Sequence, residues 1–361
     1  MPSVTHSEFG ADTTGSQVAA VFPEAIRGKT ILITGGNRNG LAFSAAQALV
    51  SQNPHRLILT GRSVAKVQEC IDALQKDFPT VNYRLLEVDL SDQKSVRAAA
   101  ARVLAWDDVP TIDLVINSAG VMGLNERTLT GDGVEMHLAT NHVGHWLLNC
   151  LIMPKLIKAA GKNPRGMTRI VNISAASPRW GGMRWSDMTF DKKNKDLPTN
   201  EQPLTEVFEA WGYEDIPNSS YIPLDGYNRS KSANVLFGIG ASKRLFDKYG
   251  IFATAVHPGV IHTELGRNFP QRVFDHFDEL LKTGVFAFKS FEAGSSTALV
   301  AALDPKLGVG VGEAKEGVEN WGSFLDDCQI SEKASPLSVS TEAADRLWAY
   351  SEGLVGEKFE W

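Results

Sequence analysis

The sequence predicts a single α/β domain built on a doubly wound, mostly parallel sheet of seven strands with helices on both faces. Two observations lead to this fold class. Short runs of β-branched and apolar residues alternate with helical patterns through most of the 361 residues, which is the order that a parallel sheet requires. A glycine-rich turn, residues 35–40, joins the first run to the first helical pattern.

The strands and helices can be placed in chain order. Strands are expected at 30–34, 56–60, 82–88, 112–116, 168–173 and 251–256, with an edge strand near 323–325. Helices are expected at about 41–49, 64–76, 93–104, 134–160, from 227 onward, 293–303 and 341–354. Right-handed crossovers bring the carboxyl ends of all parallel strands to one edge, where this Rossmann-type arrangement binds its ligands.

Residues 28–361 are expected to form one catalytic domain behind an N-terminal arm. Residues 1–27 begin polar and rich in Gly, Ser and Thr and end in a short helical pattern, so they are interpreted as an arm with a docking helix. For the first ten residues a disordered tail is an equal alternative.

Composition argues against several classes of protein. The net charge of −6 comes without a basic block, which disfavours nucleic acid and membrane surfaces as partners. The three cysteines lie far apart and the eight histidines form no His-x-x-x-His pattern, so no metal site is expected. No apolar run approaches the ~18 residues of a membrane span, and no secretory signal is visible. A cytoplasmic enzyme is the expectation.

The glycine turn at 35–40 is the expected phosphate-binding site of a dinucleotide. A strand ending at Thr34 precedes it and a helix beginning at Leu41 follows it. Glycines let the backbone approach a pyrophosphate closely, and the helix N-terminus offers N–H groups to the anion.

The end of the second strand predicts NADP as the cofactor. An acid there binds the ribose hydroxyl of NAD, whereas a basic residue accommodates the 2′-phosphate of NADP. The position is Arg62, with no acid between 60 and 63, and Arg38 in the glycine turn offers a second cation. Each arginine alone is equally consistent with a solvated surface charge, and only the two together favour NADP.

Tyr227 and Lys231 are the candidate catalytic pair. They stand four residues apart at the start of a helical pattern, so they share one helix face. An ammonium group beside a phenol favours the ionised phenol and is expected to lower its pKa from about 10. Such a tyrosine exchanges a proton with a substrate oxygen. Alone, such a pair is far more often a surface lysine beside a half-buried tyrosine, so the surrounding motifs decide.

In their order, the motifs resemble the short-chain dehydrogenases/reductases over roughly residues 28–265. They are the glycine turn, Asp89, Asn117-Ser-Ala-Gly120, Asn141, Ser174, Tyr227 with Lys231, and Pro258-Gly259 with Thr263. Finer features resemble the branch of retinol dehydrogenases and WW-domain oxidoreductases, especially its fungal members. They include Thr140-Asn-His-Val-Gly-His145, Ser230-Lys-Ser-Ala-Asn-Val-Leu236 and Phe324-Leu-Asp-Asp-Cys328.

The resemblance implies roles for the matched residues. Tyr227 would donate or accept the proton, and Lys231 would lower its pKa and hold the nicotinamide ribose. Asn141 would bend its helix and anchor a water of a proton relay. The implied cofactor-binding residues are Gly35, Asn37, Arg38, Asn39, Gly40, Leu41, Arg62, Asp89, Leu90, Asn117, Ala119, Gly120, Tyr227, Lys231, Pro258, Val260, Ile261 and Thr263.

One departure from the family pattern concerns the substrate oxygen. The family's serine is usually the second of a Ser-Ser pair, whereas this chain has Ser174-Ala175. Ser174 and Ser177 are the candidate replacements, although adjacent residues leaving a strand point to opposite faces. Losing one such donor costs on the order of 100-fold in rate.

Two long segments are expected to form the substrate site. The connection 180–226 is rich in aromatic residues and prolines, and the segment 264–292 carries several phenylalanines, Phe286 among them. Together they predict a lid and a wall over a lipophilic small molecule. The alternative is that the aromatic residues only pin the connection to the body of the domain.

The resulting expectation is an NADP-dependent reductase that moves hydride between NADPH and a carbonyl or secondary alcohol, with secondary metabolism as its setting. Two alternatives stay open. Ala175 motivates a non-redox reaction such as isomerisation, dehydration or cyclisation, and a cofactor-sensing binding protein is the third reading. By analogy with the family, a homodimer through the helices of Asn141 and Tyr227 is expected.

Overall fold

A computed structural model describes residues 1–269, 271–284, 287–312, 314–315 and 318–361. Within these residues the sheet has eight strands in the order β3-β2-β1-β4-β5-β6-β7-β8. They are Thr30–Thr34 (β1), Arg56–Gly61 (β2), Asn82–Glu87 (β3), Leu114–Asn117 (β4), Thr168–Ile173 (β5), Ile251–His257 (β6), Phe324–Asp326 (β7) and Gln329–Ile330 (β8). Phe286, which the sequence places in the second substrate segment, lies outside the described residues.

The first seven strands are parallel, and β8 pairs antiparallel with β7. The doubly wound α/β fold is therefore confirmed, with one strand more than the seven predicted. Between β7 and β8 the chain turns through Asp327 and Cys328, whose φ angles are 48° and 63°. A two-residue strand after such a tight turn carries too little periodicity to be predicted from sequence.

The helices alternate with the strands. They are Gly15–Val21 (α1), Leu41–Val50 (α2), Val64–Asp77 (α3), Gln93–Ala105 (α4), Met136–Leu138 (α5), Gly144–Ala160 (α6), Thr205–Glu209 (α7), Pro223–Tyr249 (α8), Gln271–Lys282 (α9), Phe291–Leu303 (α10) and Thr341–Val355 (α11). Short 3-10 turns lie at Pro23–Ala25, Ser177–Arg179, Asn194–Asp196, Thr199–Glu201, Glu264–Gly266, Pro305–Leu307 and Pro336–Ser338.

The helices cover both faces of the sheet. One core contains apolar side chains of α4, α6, α8 and α11, and the other contains those of α1, α2, α3 and α10. Every residue of β1, β5 and β6 is buried, because a parallel sheet carries helices on both faces. This burial explains why those strands read as unbroken apolar runs.

The long helix predicted at 134–160 is interrupted. A π-helical stretch, Ala139–Val143, separates α5 from α6. Asn141 lies in that stretch, where its side chain bonds to Val121 and Ser230. Single π-helical turns inside α-helices occur frequently at functional sites, and this one places an asparagine against α8.

The N-terminal arm lies against the domain body. In α1 a Cβ atom added to Gly15 would lie 2.3 Å from Ser295 Oγ in α10, so the two helices approach closely. Ahead of α1, the Thr5 amide and hydroxyl both donate to Asp304 at 2.6 Å, and Trp321 Nε1 donates to the Pro2 carbonyl at 3.2 Å.

The outer faces of α6 and α8 are covered by the C-terminal part of the chain. The ring of Trp146 in α6 lies 5.3 Å from that of Trp348 in α11 and 5.4 Å from that of Phe359. Trp348 also lies 6.3 Å from Phe237 of α8. The homodimer expected through these two helices therefore finds its surface occupied within the chain.

In the described ranges, no helix is both long and apolar enough to cross a bilayer. The same residues contain no cluster of three or more His, Cys, Asp or Glu side chains that could hold a metal ion.

Candidate active site

The site is built where the parallel strands end. β1 pairs with β4, β4 with β5, and β5 with β6, all in parallel. The residues that follow these strands therefore meet at one edge of the sheet, although they come from positions more than 200 residues apart in the sequence.

The glycine turn packs against the residues after β4. Gly35 has φ +89°, and a Cβ atom added to it would lie 2.9 Å from the Cα of Ala119. The Thr34 hydroxyl oxygen accepts hydrogen bonds from the amides of Ser118 at 2.9 Å and Ala119 at 3.0 Å. A glycine is required at 35 because an L side chain disfavours this φ and would collide with the neighbouring turn.

The start of α2 is open to an anion. Gly40 precedes the helix and supplies no side-chain cap, so the first N–H groups, those of Leu41 and Ala42, are offered to a ligand. Arg38 is exposed and its guanidinium lies 4.1 Å above the Phe43 ring. Arg62 is exposed at the end of β2 and makes no ion pair with any described residue. Together these features fit the phosphate groups of a dinucleotide.

The two asparagines of the turn hold its shape. Asn37 Oδ1 accepts a hydrogen bond from the Asn39 amide at 3.4 Å, and Asn37 Nδ2 donates to Glu264 at 3.3 Å. Lys66 lies 3.5 Å from the same carboxylate oxygen. The Glu264 side chain thus links the loop after β6 to the glycine turn.

Tyr227 and Lys231 lie on one face of α8, as their spacing predicted. They are only 7% and 3% exposed, and Lys231 Nζ donates to the Ile173 carbonyl at 2.8 Å. Burial lowers the pKa of Lys231 to about 7 and raises the pKa of Tyr227 above its usual value. The expected lowering of the tyrosine pKa is wrong for this structure, because burial disfavours the charged phenolate.

Asn141 joins this pair through its hydrogen bonds. Its Oδ1 accepts from the Val121 amide at 2.8 Å, and its Nδ2 donates to the Val121 carbonyl at 3.0 Å and to Ser230 Oγ at 2.8 Å. A Cβ atom added to Gly120 would lie 3.2 Å from Asn141 Oδ1 and 3.6 Å from Lys231 Nζ. Asn141, Gly120 and Lys231 therefore lie together at the sheet edge.

His145 connects Asn141 to β1, a link that the sequence reasoning did not identify. Thr34 Oγ1 already accepts two amides, so its proton goes to His145 Nε2 at 2.8 Å. The other ring nitrogen, Nδ1, then carries a proton and donates to the Asn141 carbonyl at 3.1 Å. Burial lowers the pKa of His145 to about 4, which keeps the ring neutral. The spacing of four residues between Asn141 and His145 was the available signal.

Two predicted cofactor residues are largely engaged within the protein. The amide group of Asn117 donates to Asn172 at 2.8 Å and accepts from Asn149 at 3.0 Å, so its side chain ties β4 to β5 and α6. Asp89 Oδ1 accepts from the amide and hydroxyl of Ser91 at 2.9 Å and 2.6 Å. The adjacent Leu90 is buried.

The loop after β6 returns toward the glycine turn. Pro258 is buried, and the Val260 carbonyl accepts the Lys289 amide at 2.8 Å. A Cβ atom added to Gly294 would lie 2.4 Å from Ile261 and 2.8 Å from Leu41, so these two side chains meet at the start of α2. Thr263 Oγ1 accepts from the Leu265 amide at 3.2 Å and begins the next turn.

Neither Ser174 nor Ser177 has a free hydroxyl to replace the one missing at position 175. Ser174 is 2% exposed and its hydroxyl donates to the Lys231 carbonyl at 2.7 Å. The Ser177 hydroxyl, also buried, donates to Asn228 Oδ1 at 2.7 Å. Ala175, between them, packs against the apolar side chains around Tyr227. The position that faces Tyr227 thus carries no hydroxyl.

Both predicted substrate segments contribute to the apolar wall around Tyr227. We call the Tyr227 cluster the set Met122, Ala175, Phe208, Trp211, Tyr213, Ile216, Ile222, Leu224, Tyr227, Phe269 and Val273. Other aromatic residues of the 180–226 connection pin it in place, since Trp185 stacks under Arg346 and Phe190 meets Tyr221 edge-on at 5.5 Å. Some aromatic residues of this connection therefore contribute to the wall around Tyr227, and others attach the connection to the body of the domain.

A second group missed from sequence lies beside Tyr227. Glu135 and His137 are fully buried, with 2.8 Å between Glu135 Oε1 and His137 Nδ1. The His137 ring lies 6.3 Å from the Tyr227 ring, nearly perpendicular to it. The Tyr221 hydroxyl, which donates to the Leu124 carbonyl at 3.0 Å, lies 3.4 Å from His137 Nδ1.

The sequence of the chain is similar to one protein family and to oxidoreductases from several organisms. Residues 29–186 match the family model described as short chain dehydrogenase. The oxidoreductase fscI of Fusarium equiseti is 35% identical over 252 residues, which cover 70% of this chain and 94% of that protein. Retinol dehydrogenase 12 of Bos taurus is 30% identical over 339 residues, covering 92% of this chain and 88% of the relative.

Solved structures share the fold at lower identity. The NADPH-bound carbonyl reductase from chicken fatty liver has a TM-score of 0.52 and 21% identity, covering 83% of this chain and 97% of that one. The 3-ketoacyl-(acyl-carrier-protein) reductase of Brucella melitensis, complexed with NADH, has a TM-score of 0.55 and 16% identity, with the same coverage.

Proposed function

The chain belongs to the short-chain dehydrogenase family, and from that premise we propose that it is an NADP-dependent reductase of lipophilic carbonyl compounds. The observation that carries the proposal is the position of Tyr227. Its ring lies 5.6 Å from Lys231 Nζ and belongs to the apolar Tyr227 cluster. Asn141 is linked to the same helix through its hydrogen bond to Ser230.

The choice of NADP over NAD rests on charge. Arg62 and Arg38 are exposed cations beside the phosphate-binding turn, and no acid lies between 60 and 63. A guanidinium binds a phosphate by paired, charge-assisted hydrogen bonds. The solved neighbours support a nicotinamide dinucleotide in general, because one contains NADPH and another NADH.

The residues of the chain orient the reactants and move the proton. Bound NADPH would supply the hydride for the substrate carbon and would leave as NADP⁺. Tyr227 keeps its proton at neutral pH because burial raises its pKa, so it serves as the acid that protonates the substrate oxygen. Lys231, whose pKa burial lowers to about 7, exchanges a proton near neutral pH and can restore that of Tyr227. Asn141 holds the residues after β4 against α8.

The nature of the site wall supports a lipophilic substrate. The Tyr227 cluster is almost entirely aromatic and aliphatic, and side chains of this kind line the binding sites of apolar ligands. The names of two similar proteins, a retinol dehydrogenase and a carbonyl reductase, agree with this class of substrate. The cytoplasmic location and the secondary-metabolic setting stay predictions.

Purified protein tests the proposal directly. NADPH absorbance would be followed with acetophenone, benzil and menadione, and the reverse reaction with the corresponding alcohols. Tyr227→Phe should lower turnover by at least about 1,000-fold while the NADPH dissociation constant changes by less than about threefold. Tyr249→Phe, at the far end of the same helix, is the control. Turnover that survives Tyr227→Phe would refute the assignment.

The same assay distinguishes a reductase from the two alternatives, a non-redox enzyme, which the missing hydroxyl at Ala175 suggests, and a cofactor-sensing protein. Consumption of a substrate without net loss of NADPH would support isomerisation, dehydration or cyclisation. Tight NADPH binding without consumption of any substrate would support a cofactor-sensing protein.

A further inference from the structure

The site as described has one hydrogen-bond donor for a substrate oxygen where the reaction benefits from two. Tyr227 supplies the first. Ala175 faces the Tyr227 cluster without a hydroxyl, and the hydroxyls of Ser174 and Ser177 are bonded to Lys231 and Asn228. A missing donor at this place costs about 100-fold in rate, so a second donor from the wall around Tyr227 would restore much of that rate.

Tyr213 carries an unused hydroxyl in that wall. The residue belongs to the Tyr227 cluster and is 5% exposed. Its hydroxyl is buried and has no hydrogen-bond partner among the described residues. A buried polar group left unpaired costs about 1–3 kcal/mol, so a bound molecule that pairs with this hydroxyl would be favoured.

The backbone and its neighbours hold the Tyr213 ring in place. The Tyr213 amide donates to the Phe208 carbonyl at 3.0 Å, and the two rings meet edge-on at 6.4 Å. The Arg272 guanidinium of α9 lies 5.6 Å from the Tyr213 ring. The preceding Gly212 has φ +74°, which turns the chain so that the tyrosine enters the wall.

Tyr213 belongs to the same packed cluster as Leu224 and Tyr227 at the start of α8. Burial raises the pKa of Tyr213 to about 12, against the Arg272 charge and the Leu224 amide, which lower it. Leu224 precedes Tyr227 by three residues, and helical side chains lean toward the N-terminus over that turn. The phenol of Tyr213 keeps its proton and can only donate or accept a hydrogen bond.

We propose that Tyr213 donates a hydrogen bond to the carbonyl oxygen of the substrate, in place of the hydroxyl absent from position 175. The proposal rests on the proposed reductase function. It assigns the connection 180–226 a part in catalysis, because the donor comes from this segment rather than from the end of β5. The substrate oxygen would then accept two phenolic hydrogen bonds, one from each tyrosine.

A double-mutant cycle tests this role with the fastest ketone among acetophenone, benzil and menadione. Tyr213→Phe should lower kcat/KM about 100-fold and leave the NADPH dissociation constant within about threefold. Ala175→Ser supplies a hydroxyl at the usual position. In that background the further loss caused by Tyr213→Phe should shrink to less than about fivefold.

The cycle distinguishes donation from packing. If Tyr213 only fills space, a hydroxyl at position 175 does not compensate for its removal. An equal loss of kcat/KM from Tyr213→Phe in the parent and in Ala175→Ser would therefore overturn the proposal. A Tyr213→Phe variant within about threefold of the parent also overturns it. Thermal unfolding of each variant, with Tyr249→Phe as control, identifies a folding defect. If the parent protein reduces no ketone, the proposed function itself fails, and the donor role with it.

Discussion

Lys231 Nζ lies 5.6 Å from the centre of the Tyr227 ring, one helical turn along α8. Burial moves the pKa values of the two groups in opposite directions, down for the lysine and up for the tyrosine. Both shifts favour the uncharged forms, because a buried charge loses its hydration. A bound anionic dinucleotide would favour the charged lysine again by Coulomb attraction, so cofactor binding and activation of the pair are expected to be coupled.

The lowered pKa of Lys231 predicts a pH-dependent cost to stability. The folded pKa of about 7 lies below the unfolded value of about 10.4. Between these values the unfolded chain binds more protons, so stability rises with pH, and the full cost is present below about pH 7. The melting temperature of Lys231→Met minus that of the parent should therefore be larger at about pH 6 than at about pH 9.5.

Differential scanning fluorimetry across that range measures the trend. Lys94→Met is a matched control because Lys94 is exposed, and its difference from the parent should stay flat. A flat profile for Lys231→Met as well would show that the lysine is not held at a lowered pKa.

Arg62→Ala should discriminate between the two dinucleotides. The variant loses a cation expected to meet the 2′-phosphate, so the NADPH dissociation constant should rise by at least about tenfold. NADH affinity should change by less than about twofold. Arg27→Ala, which removes an exposed arginine paired with Glu24, is the control in the same fluorescence titrations. An equal effect of Arg62→Ala on both dinucleotides would contradict the NADP assignment.

Two glycine substitutions should have opposite effects on stability. Gly35→Ala introduces a side chain at φ +89° and 2.9 Å from Ala119 Cα, so it should cost about 1–3 kcal/mol and weaken NADPH binding. Gly353→Ala lies at an exposed position of α11 with nothing within 4 Å of an added Cβ, so it should add about 0.5–1 kcal/mol. Urea unfolding measures both. Equal stabilities of the two variants would refute the assigned turn geometry.

Asn141→Ala should affect activity beyond its effect on folding. The variant loses hydrogen bonds to Val121 and Ser230, which removes the link between the β4 turn and α8, and kcat should fall by about 100-fold. Asn163→Ala is the control, since that amide bonds to Asp113 and Thr168 at the opposite edge of the sheet. It should lower the melting temperature while kcat per folded molecule is retained. A similar kcat for both variants would exclude a specific role of Asn141.

The covered faces of α6 and α8 predict the oligomeric state. Trp348 and Phe359 occupy the surface of Trp146, so pairing through these helices is blocked and the chain should scatter light as a 39.3 kDa monomer. Removing residues 356–361 uncovers this surface and should favour self-association. A dimer of the intact chain that Trp146→Lys dissociates would contradict this prediction.

The sequence predicted correctly those features that depend on residues close together along the chain. Parallel strands buried on both faces read as apolar runs, and the spacing of Tyr227 and Lys231 fixed their common helix face. The π-helical stretch at Ala139–Val143 was not predictable in detail, because it depends on bonds from Asn141 to Val121 and Ser230. The direction of the Tyr227 pKa was predicted wrongly, since the charge of a neighbour is visible in sequence but the depth of burial is not.

The sequence by itself determined the doubly wound fold, the family and the order of the site residues. It also showed that position 175 lacks a hydroxyl. Only the tertiary structure decided where the neighbouring hydroxyls point, because the partners of Ser174 and Ser177 are Lys231 and Asn228, more than 50 positions away. Periodicity is a property of adjacent residues, whereas hydrogen-bond partners and burial are set by segments that meet only when the chain has folded.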